Sequence, residues 1–126
     1  MAKIVTFDFD DTLTLPHYND EEELWTTGLE PNKKTILALK KFASKGYEVK
    51  IVTSRHGTGR HKKDVATFAK KHSLPIKDII FTNGKDKVHT LLRIKSVLHY
   101  DDDTHELSLI KSKGIKIVHI KHPLDK

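Results

Sequence analysis

Apolar and β-branched residues along the chain gather into five strand-sized runs, at residues 3–7, 47–53, 78–82, 96–100 and 115–120. The segments between them space their apolar positions as a helix does. Ile36, Leu39 and Ala43 form one such face, Val65, Phe68 and His72 a second, Val88, Leu91 and Leu92 a third, and Leu107 and Ile110 a fourth. Gly46 and Gly114 stand where a helix must end before the next strand, and Pro31 and Pro75 punctuate connections. Strand and helix alternate strictly, with no internal repeat. That alternation predicts an α/β fold, a parallel sheet with helices on both faces, whose right-handed crossovers bring all strand C-termini to one edge. Ligands bind at that edge in such sheets. A length of 126 residues makes one domain, 1–126, and leaves no room for a separate substrate domain.

Composition narrows the function classes. Hydrophobic residues at 37% against 32% charged make a globular chain, and apolar runs such as Asp78-Ile79-Ile80-Phe81 are far too short to span a bilayer, so a membrane protein is excluded. The absence of cysteine removes disulfides, thiolate catalysis and Cys-based zinc or iron–sulfur sites. No cationic segment followed by an apolar one opens the chain, and the expected location is the cytoplasm. Lys and Arg outnumber Asp and Glu by 23 to 17; the resulting +6 favours anionic partners, although plain solubility asks for as much.

The chemistry lies at the strand ends. Asp8, Asp10 and Asp11 follow the first strand directly. Carboxylates this close repel and raise one another's pKa, so the cluster needs a cation or open solvent. An oxygen-only donor set suits a hard cation such as Mg²⁺; for an Asp-x-Asp alone, a solvated turn with an Asx cap is the plainer alternative. A second cluster, Asp101, Asp102 and Asp103, follows the fourth run. If the first and fourth strands are neighbours the clusters meet and predict a metal site. Thr53, Ser54 and Arg55 end the second strand and deliver the hydroxyls and guanidinium that a phosphoryl group needs. Lys85 and Lys87, at the opening of the third helix, bring an ammonium. Acids, metal, hydroxyl and lysine together describe phosphoryl transfer.

The sequence Asp8-x-Asp10-x-Thr12-Leu13, a hydrophobic strand ending in Thr53, a lysine at a helix start and a strand ending in Asp101-Asp102 resemble, in order and over nearly the whole chain, the four motifs of the haloacid dehalogenase-like (HAD) phosphohydrolases. The resemblance implies a three-layer Rossmann-like fold with a five-stranded parallel sheet and Mg²⁺ as cofactor. It makes Asp8 the nucleophile that forms an aspartyl-phosphate, and Asp10 the general acid and base, whose backbone carbonyl also helps hold Mg²⁺. Thr53 would bind a phosphoryl oxygen. The lysine offsetting negative charge is Lys87 or Lys85; Lys87 is preferred because it directly precedes Val88, Leu91 and Leu92, whereas Lys85 belongs to an Asn83-Gly84 turn. Asp102 is the direct metal ligand beside Asp8, with Asp101 as its orienting neighbour, and Asp103 starts the next helix. Asp11 departs from the family, which usually has glycine there.

Residues 15–30 are the one stretch long enough for an insertion after the first motif, and no second insertion follows the third, so the resemblance implies a capless enzyme with no substantial cap domain. An open site admits large substrates. The basic segment 55–63, with Arg55, Arg60, Lys62 and Lys63, leaves the second strand at the same edge and either attracts flanking phosphates or is a solvated loop. Thr53-Ser54-Arg55 and Tyr100-Asp101-Asp102 resemble the phosphatase part of bacteriophage polynucleotide kinase/phosphatases, which implies a polynucleotide 3′-phosphatase with Thr12, Ser54, Arg55 and Arg60 at the substrate. The alternatives are a nucleoside 5′-monophosphate phosphatase and, in another class, a non-catalytic nucleic-acid-binding module. The chain contains no kinase P-loop. The acidic run Asp20-Glu21-Glu22-Glu23 would repel a polyanion if it faced the site, and would be neutral as an outward-pointing helix start. Nine histidines, at 17, 56, 61, 72, 89, 99, 105, 119 and 122, have no paired ligand spacing and read mostly as surface or packing residues, with His56 and His61 candidates for phosphate binding. Tyr18 and Trp25 either stack on a base or, the commoner role, pin the insertion to the body.

Overall fold

The structure, a computed structural model, describes residues 2–121; His122 lies outside the described residues. Five parallel strands, β1 (Ile4–Phe7), β4 (Glu48–Thr53), β5 (Asp78–Phe81), β6 (Ser96–Asp101) and β7 (Lys116–His119), form a sheet in the order β5-β4-β1-β6-β7. Four helices flank it: α1 (Lys33–Ser44), α2 (Gly59–Lys71), α3 (Val88–Ile94) and α4 (Thr104–Ser112). The fold is α/β and consistent with a three-layer Rossmann-like arrangement. All five strand runs are strands, within a residue or so of their expected bounds. β1 lies between β4 and β6, so the first and fourth of those runs are neighbours.

Two cores back the two faces. Val5 and Phe7 of β1 and Val49 and Ile51 of β4 pack with Ile36 and Leu39 of α1 and Val65 and Phe68 of α2. On the opposite face Val52 joins Val88 and Leu91 of α3, Ile110 of α4 and Ile115. Leu92 departs from the expected helical face: it is exposed, because α3 is two turns long and its buried stripe is Val88 and Leu91 alone. His72 ends α2 as its cap, its ring 4.4 Å from that of Phe68. Gly46 and Gly114 follow the last turns of α1 and α4 at φ +91° and +86°, a conformation that a Cβ disfavours. No helix among the described residues is long and apolar enough to cross a membrane.

The strict alternation of strand and helix is interrupted once. The insertion is an antiparallel hairpin of β2 (Thr14–Asn19) and β3 (Leu24–Pro31). Its apolar residues Leu15, Leu24 and Leu29 remain exposed, so it lacks the buried period-two face by which a strand is read from sequence. The run 20–23 is the hairpin turn and not a helix start. Asn19 Oδ1 accepts from the amides of Glu21 and Glu22 at 3.0 Å, and the acids face solvent. Tyr18 and Trp25 meet each other across the hairpin, edge to face at 5.3 Å, both more than a third exposed. Their ring contact ties the two strands together.

Candidate active site

Alternation along β1 sends Val5 and Phe7 into the first core and Thr6 and Asp8 to the other side. Asp8 extends the ladder beyond the strand, its amide donating to the Tyr100 carbonyl at 2.9 Å. The chain then turns tightly around one carbonyl: the amides of Thr12, Leu13 and Thr14 all point at Phe9 O, at 3.3, 3.0 and 3.3 Å. This turn brings the Thr12 hydroxyl back to Asp8 Oδ2, to which it donates at 3.1 Å. Its geometry holds Asp11 at φ +59°, in the left-handed region where glycine is at ease and aspartate is tolerated.

Lys87 reaches Asp8 from the start of α3. Its ammonium is almost fully buried and donates to Asp8 Oδ1 at 3.0 Å and to Asp101 Oδ2 at 2.8 Å, while its amide donates to Glu106 Oε2 at 3.0 Å. Burial works against the ammonium, but Asp8 and Asp101 outweigh it and push Lys87 above its ordinary range. Lys85 is exposed, its backbone closing a turn with Thr82. Of the two lysines, Lys87 is the one ion-paired with Asp8.

Asp101 is fully engaged. Oδ2 also accepts from His99 Nε2 at 2.8 Å, and Oδ1 accepts from the Asp103 amide at 3.1 Å. Burial alone would raise its pKa; the His99 hydrogen bond and the Lys87 charge win and hold it well below the usual carboxylate range. Burial lowers His99 against the pull of Asp101; because a carboxylate can only accept, Nε2 donates to Asp101, and Nδ1 lies 2.8 Å from the Thr6 hydroxyl. Thr6 in turn lies 2.8 Å from Ser96 Oγ. This Thr6–His99–Asp101–Lys87 chain was not read from the sequence. The available signal was strand parity, because His99 precedes Asp101 by two residues and shares its face.

One oxygen each from Asp8, Asp101 and Asp102 lie within 4.8 Å of one another. Burial, with Lys87 opposing and Asp101 and Asp102 adding, raises the Asp8 carboxyl well above its ordinary value. Burial also raises Asp102, to about 6, with Asp101 and Asp11 adding and a hydrogen bond with Asp8 opposing. Three converging carboxylates with no nitrogen or sulfur donor suit a hard cation. Asp101 accepts three hydrogen bonds, from Lys87, His99 and the Asp103 amide, against two on Asp8, from Lys87 and Thr12. The Asp10 carboxylate is outside this cluster and faces Arg55.

Asp10 and Arg55 form a two-pronged pair, Nε to Oδ2 and Nη2 to Oδ1, both 2.8 Å, with the guanidinium 5.1 Å above the Phe9 ring and a longer 3.5 Å contact to Asp64. They line a cleft of about 360 Å³ together with Ser54, Arg60, His56, His61 and Thr27 of the hairpin. Thr53 and Thr12 are buried beneath this surface; Thr53 Oγ1 accepts from the Arg55 amide at 3.2 Å. Thr12 therefore supports Asp8 instead of lining the cleft. Asp103 caps α4, accepting from the amides of His105 and Glu106. The arrangement offers a buried carboxylate between a lysine and two further acids, with a second carboxylate and an arginine at the opening. Neither the known family models nor the curated proteins match this chain.

Proposed function

We propose that the protein is a Mg²⁺-dependent phosphomonoester hydrolase of the capless HAD type, acting on a phosphorylated nucleic-acid end. The observation that carries this reading is Asp8, a buried carboxylate held on one oxygen by Lys87 and on the other by Thr12, with Asp102 beside it. Asp8 attacks phosphorus and the ester oxygen leaves with a proton from Asp10; water, deprotonated by Asp10, then cleaves the aspartyl-phosphate and restores Asp8. Arg55 occupies both Asp10 oxygens, and the phosphate anion is the alternative partner for that guanidinium. Binding substrate in the cleft thus frees the acid. Lys87 and Thr53 balance and orient the phosphoryl oxygens. Asp8, Asp102 and the Asp10 carbonyl would hold Mg²⁺, with Asp101 fixing Lys87; the cation would supply the charge neutralisation that lets carboxylate and phosphate approach.

The direct test is phosphate release from a 3′-phosphorylated oligonucleotide and from a panel of nucleoside monophosphates, with and without Mg²⁺. Metal-dependent release from the oligonucleotide is the expected result. Release from monophosphates alone would make the protein a nucleotidase, and release from neither would sink the hydrolase reading.

A pH dependence follows from the shared burial of Asp8 and Asp102. Both carboxyls are raised, Asp102 to about 6, so above the ordinary carboxylate range the folded protein binds more protons than the unfolded chain until these two groups ionise. Their contribution to stability is present at low pH and is lost as pH rises through that window. A divalent cation takes the place of the proton. Millimolar Mg²⁺ is expected to raise the melting temperature clearly at about pH 7.5 and hardly at all at about pH 5. An Mg²⁺ shift of equal size at both values, measured by scanning calorimetry, would contradict the carboxylate site.

A further inference from the structure

The helix layer is incomplete on one side of the sheet. α1 and α2 pack over β1 and β4, while α4 on the other face extends to β7. Leu98 and Tyr100 of β6, with their register partners Lys116 and Val118 of β7, consequently floor an open shelf beside α1. Three adjoining hollows compose it. One of about 640 Å³ opens at Asp11 and Thr14, next to the candidate active site; it shares Ala38 and Tyr100 with a middle hollow of about 210 Å³. That hollow shares Phe42 with a third, of about 390 Å³, which ends at Lys3 and Lys116. The shelf follows β6, and a six-residue strand is about 20 Å long.

Its charge has one sign along most of that length. α1 contains no acidic residue, and Lys34, Ala38, Lys41 and Lys45, spaced by four, three and four, present one helical face to the shelf. Lys116 and Lys121 stand on the β7 side and Lys3 at the far end. All six lysines are exposed, and none forms an ion pair among the described residues. Asp11, at the mouth, is the one acid among the described lining residues. Between the lysines lie the half-buried rings of Phe42, Tyr47 and Tyr100. Lysines tracking an extended path with aromatic faces between them match a single-stranded polynucleotide, whose phosphates repeat along the strand and whose bases stack. A mononucleotide at Asp8 would leave Lys3, Lys45 and Lys116 without use.

We propose that this shelf binds the nucleotides that precede a 3′-terminal phosphate, so that a single strand runs from the candidate active site over β6 and β7 toward Lys3. The direction of the strand rests on the phosphatase reading; the existence of the binding surface does not. The basic segment 55–63 lies on the other side of Asp10 and is the competing surface.

The test compares the parent with two variants: Lys41→Ala/Lys45→Ala/Lys116→Ala on the shelf, and Lys62→Ala/Lys63→Ala in the basic segment. The probe is a fluorescent single-stranded oligodeoxynucleotide with a 3′-phosphate, titrated by anisotropy at several salt concentrations without Mg²⁺. The shelf variant is expected to bind at least about tenfold more weakly, with the slope of log K against log salt reduced by about two, since each lysine contact on a single strand contributes about 0.7. Its turnover of a nucleoside 3′-monophosphate stays at the parent level, while its KM for the oligonucleotide rises about tenfold. Loss confined to the Lys62/Lys63 variant would overturn the proposal, as would a parent dimer in sedimentation that the shelf substitutions dissociate. If no phosphate ester is turned over but the shelf substitutions still weaken binding, the shelf stands and the phosphatase reading falls. If turnover persists and binding is unchanged by them, the shelf falls alone.

Discussion

Lys87→Met is expected to lower the melting temperature by roughly 10–20 °C and to remove the proposed phosphatase activity. The ammonium sits 3.0 Å from Asp8 and 2.8 Å from Asp101, with Glu106 at 3.9 Å, and all four groups are buried. A methionine of similar length fills the space but leaves these acids facing one another without a positive charge. Breaking a buried ion pair by removing one partner costs about 3–5 kcal/mol, mostly the cost of the stranded charge, which for a domain of this size gives the stated change in melting temperature. Two controls isolate the cause. Lys85→Met, in the exposed turn, is expected to change neither property. Adding Asp101→Asn to Lys87→Met should recover part of the lost stability, because the two substitutions share one interaction and cannot be additive. Mg²⁺ should also stabilise Lys87→Met by more than it stabilises the parent. A Lys87→Met protein melting within a few degrees of the parent would show that the ammonium does not hold these carboxylates together.

The sheet and its order of elements were legible because a parallel strand buried on both faces leaves a dense apolar run, and each return helix leaves a stripe. The hairpin was not, because its strands carry too few buried positions to impose a period. Leu15, Leu24 and Leu29 are apolar yet exposed, and Asp20 to Glu23 suits a turn as well as a helix start. Asp8, Lys87, Asp101 and Asp102 were marked out by where acids and lysines interrupt apolar runs, and the fold brings these four together. What a linear reading leaves open is which partner each takes. The Asp10 carboxylate could have faced the other acids but pairs with Arg55, and Asp101 is spent on Lys87 and His99. Those choices are made by register across β1 and β6 and by the entry angle of α3, which depend on packing between segments some 80 to 90 residues apart. The basic shelf was illegible for a related reason: the lysines of α1 read as an ordinary solvated face until β6 and β7 are placed beside them.

Asp8→Asn separates chemistry from folding. The amide is isosteric with the carboxylate; its oxygen can still accept from Lys87, and the Thr12 hydroxyl, a donor to Asp8 Oδ2, can rotate to accept from the new NH₂. Lys87 keeps Asp101 as its counter-ion. Burial and the neighbouring Asp101 and Asp102 already disfavour the Asp8 charge, so neutralising it relieves repulsion. The melting temperature of the metal-free protein is therefore expected to stay level or to rise by a few degrees. Phosphate release should nevertheless fall by at least about 10⁴-fold, the scale seen when a covalent nucleophile is removed and only binding and electrostatic terms remain. In the parent, rapid acid quench after mixing with labelled substrate should trap an acid-stable, hydroxylamine-labile acyl phosphate, which the variant cannot form because an amide oxygen is a poor nucleophile. A folded Asp8→Asn protein that keeps activity within tenfold of the parent would remove Asp8 from the bond-making step and leave it as a metal or lysine partner alone. Level stability with lost turnover and lost acyl phosphate would assign the covalent step to Asp8, since no weakening of the fold could then account for the missing activity.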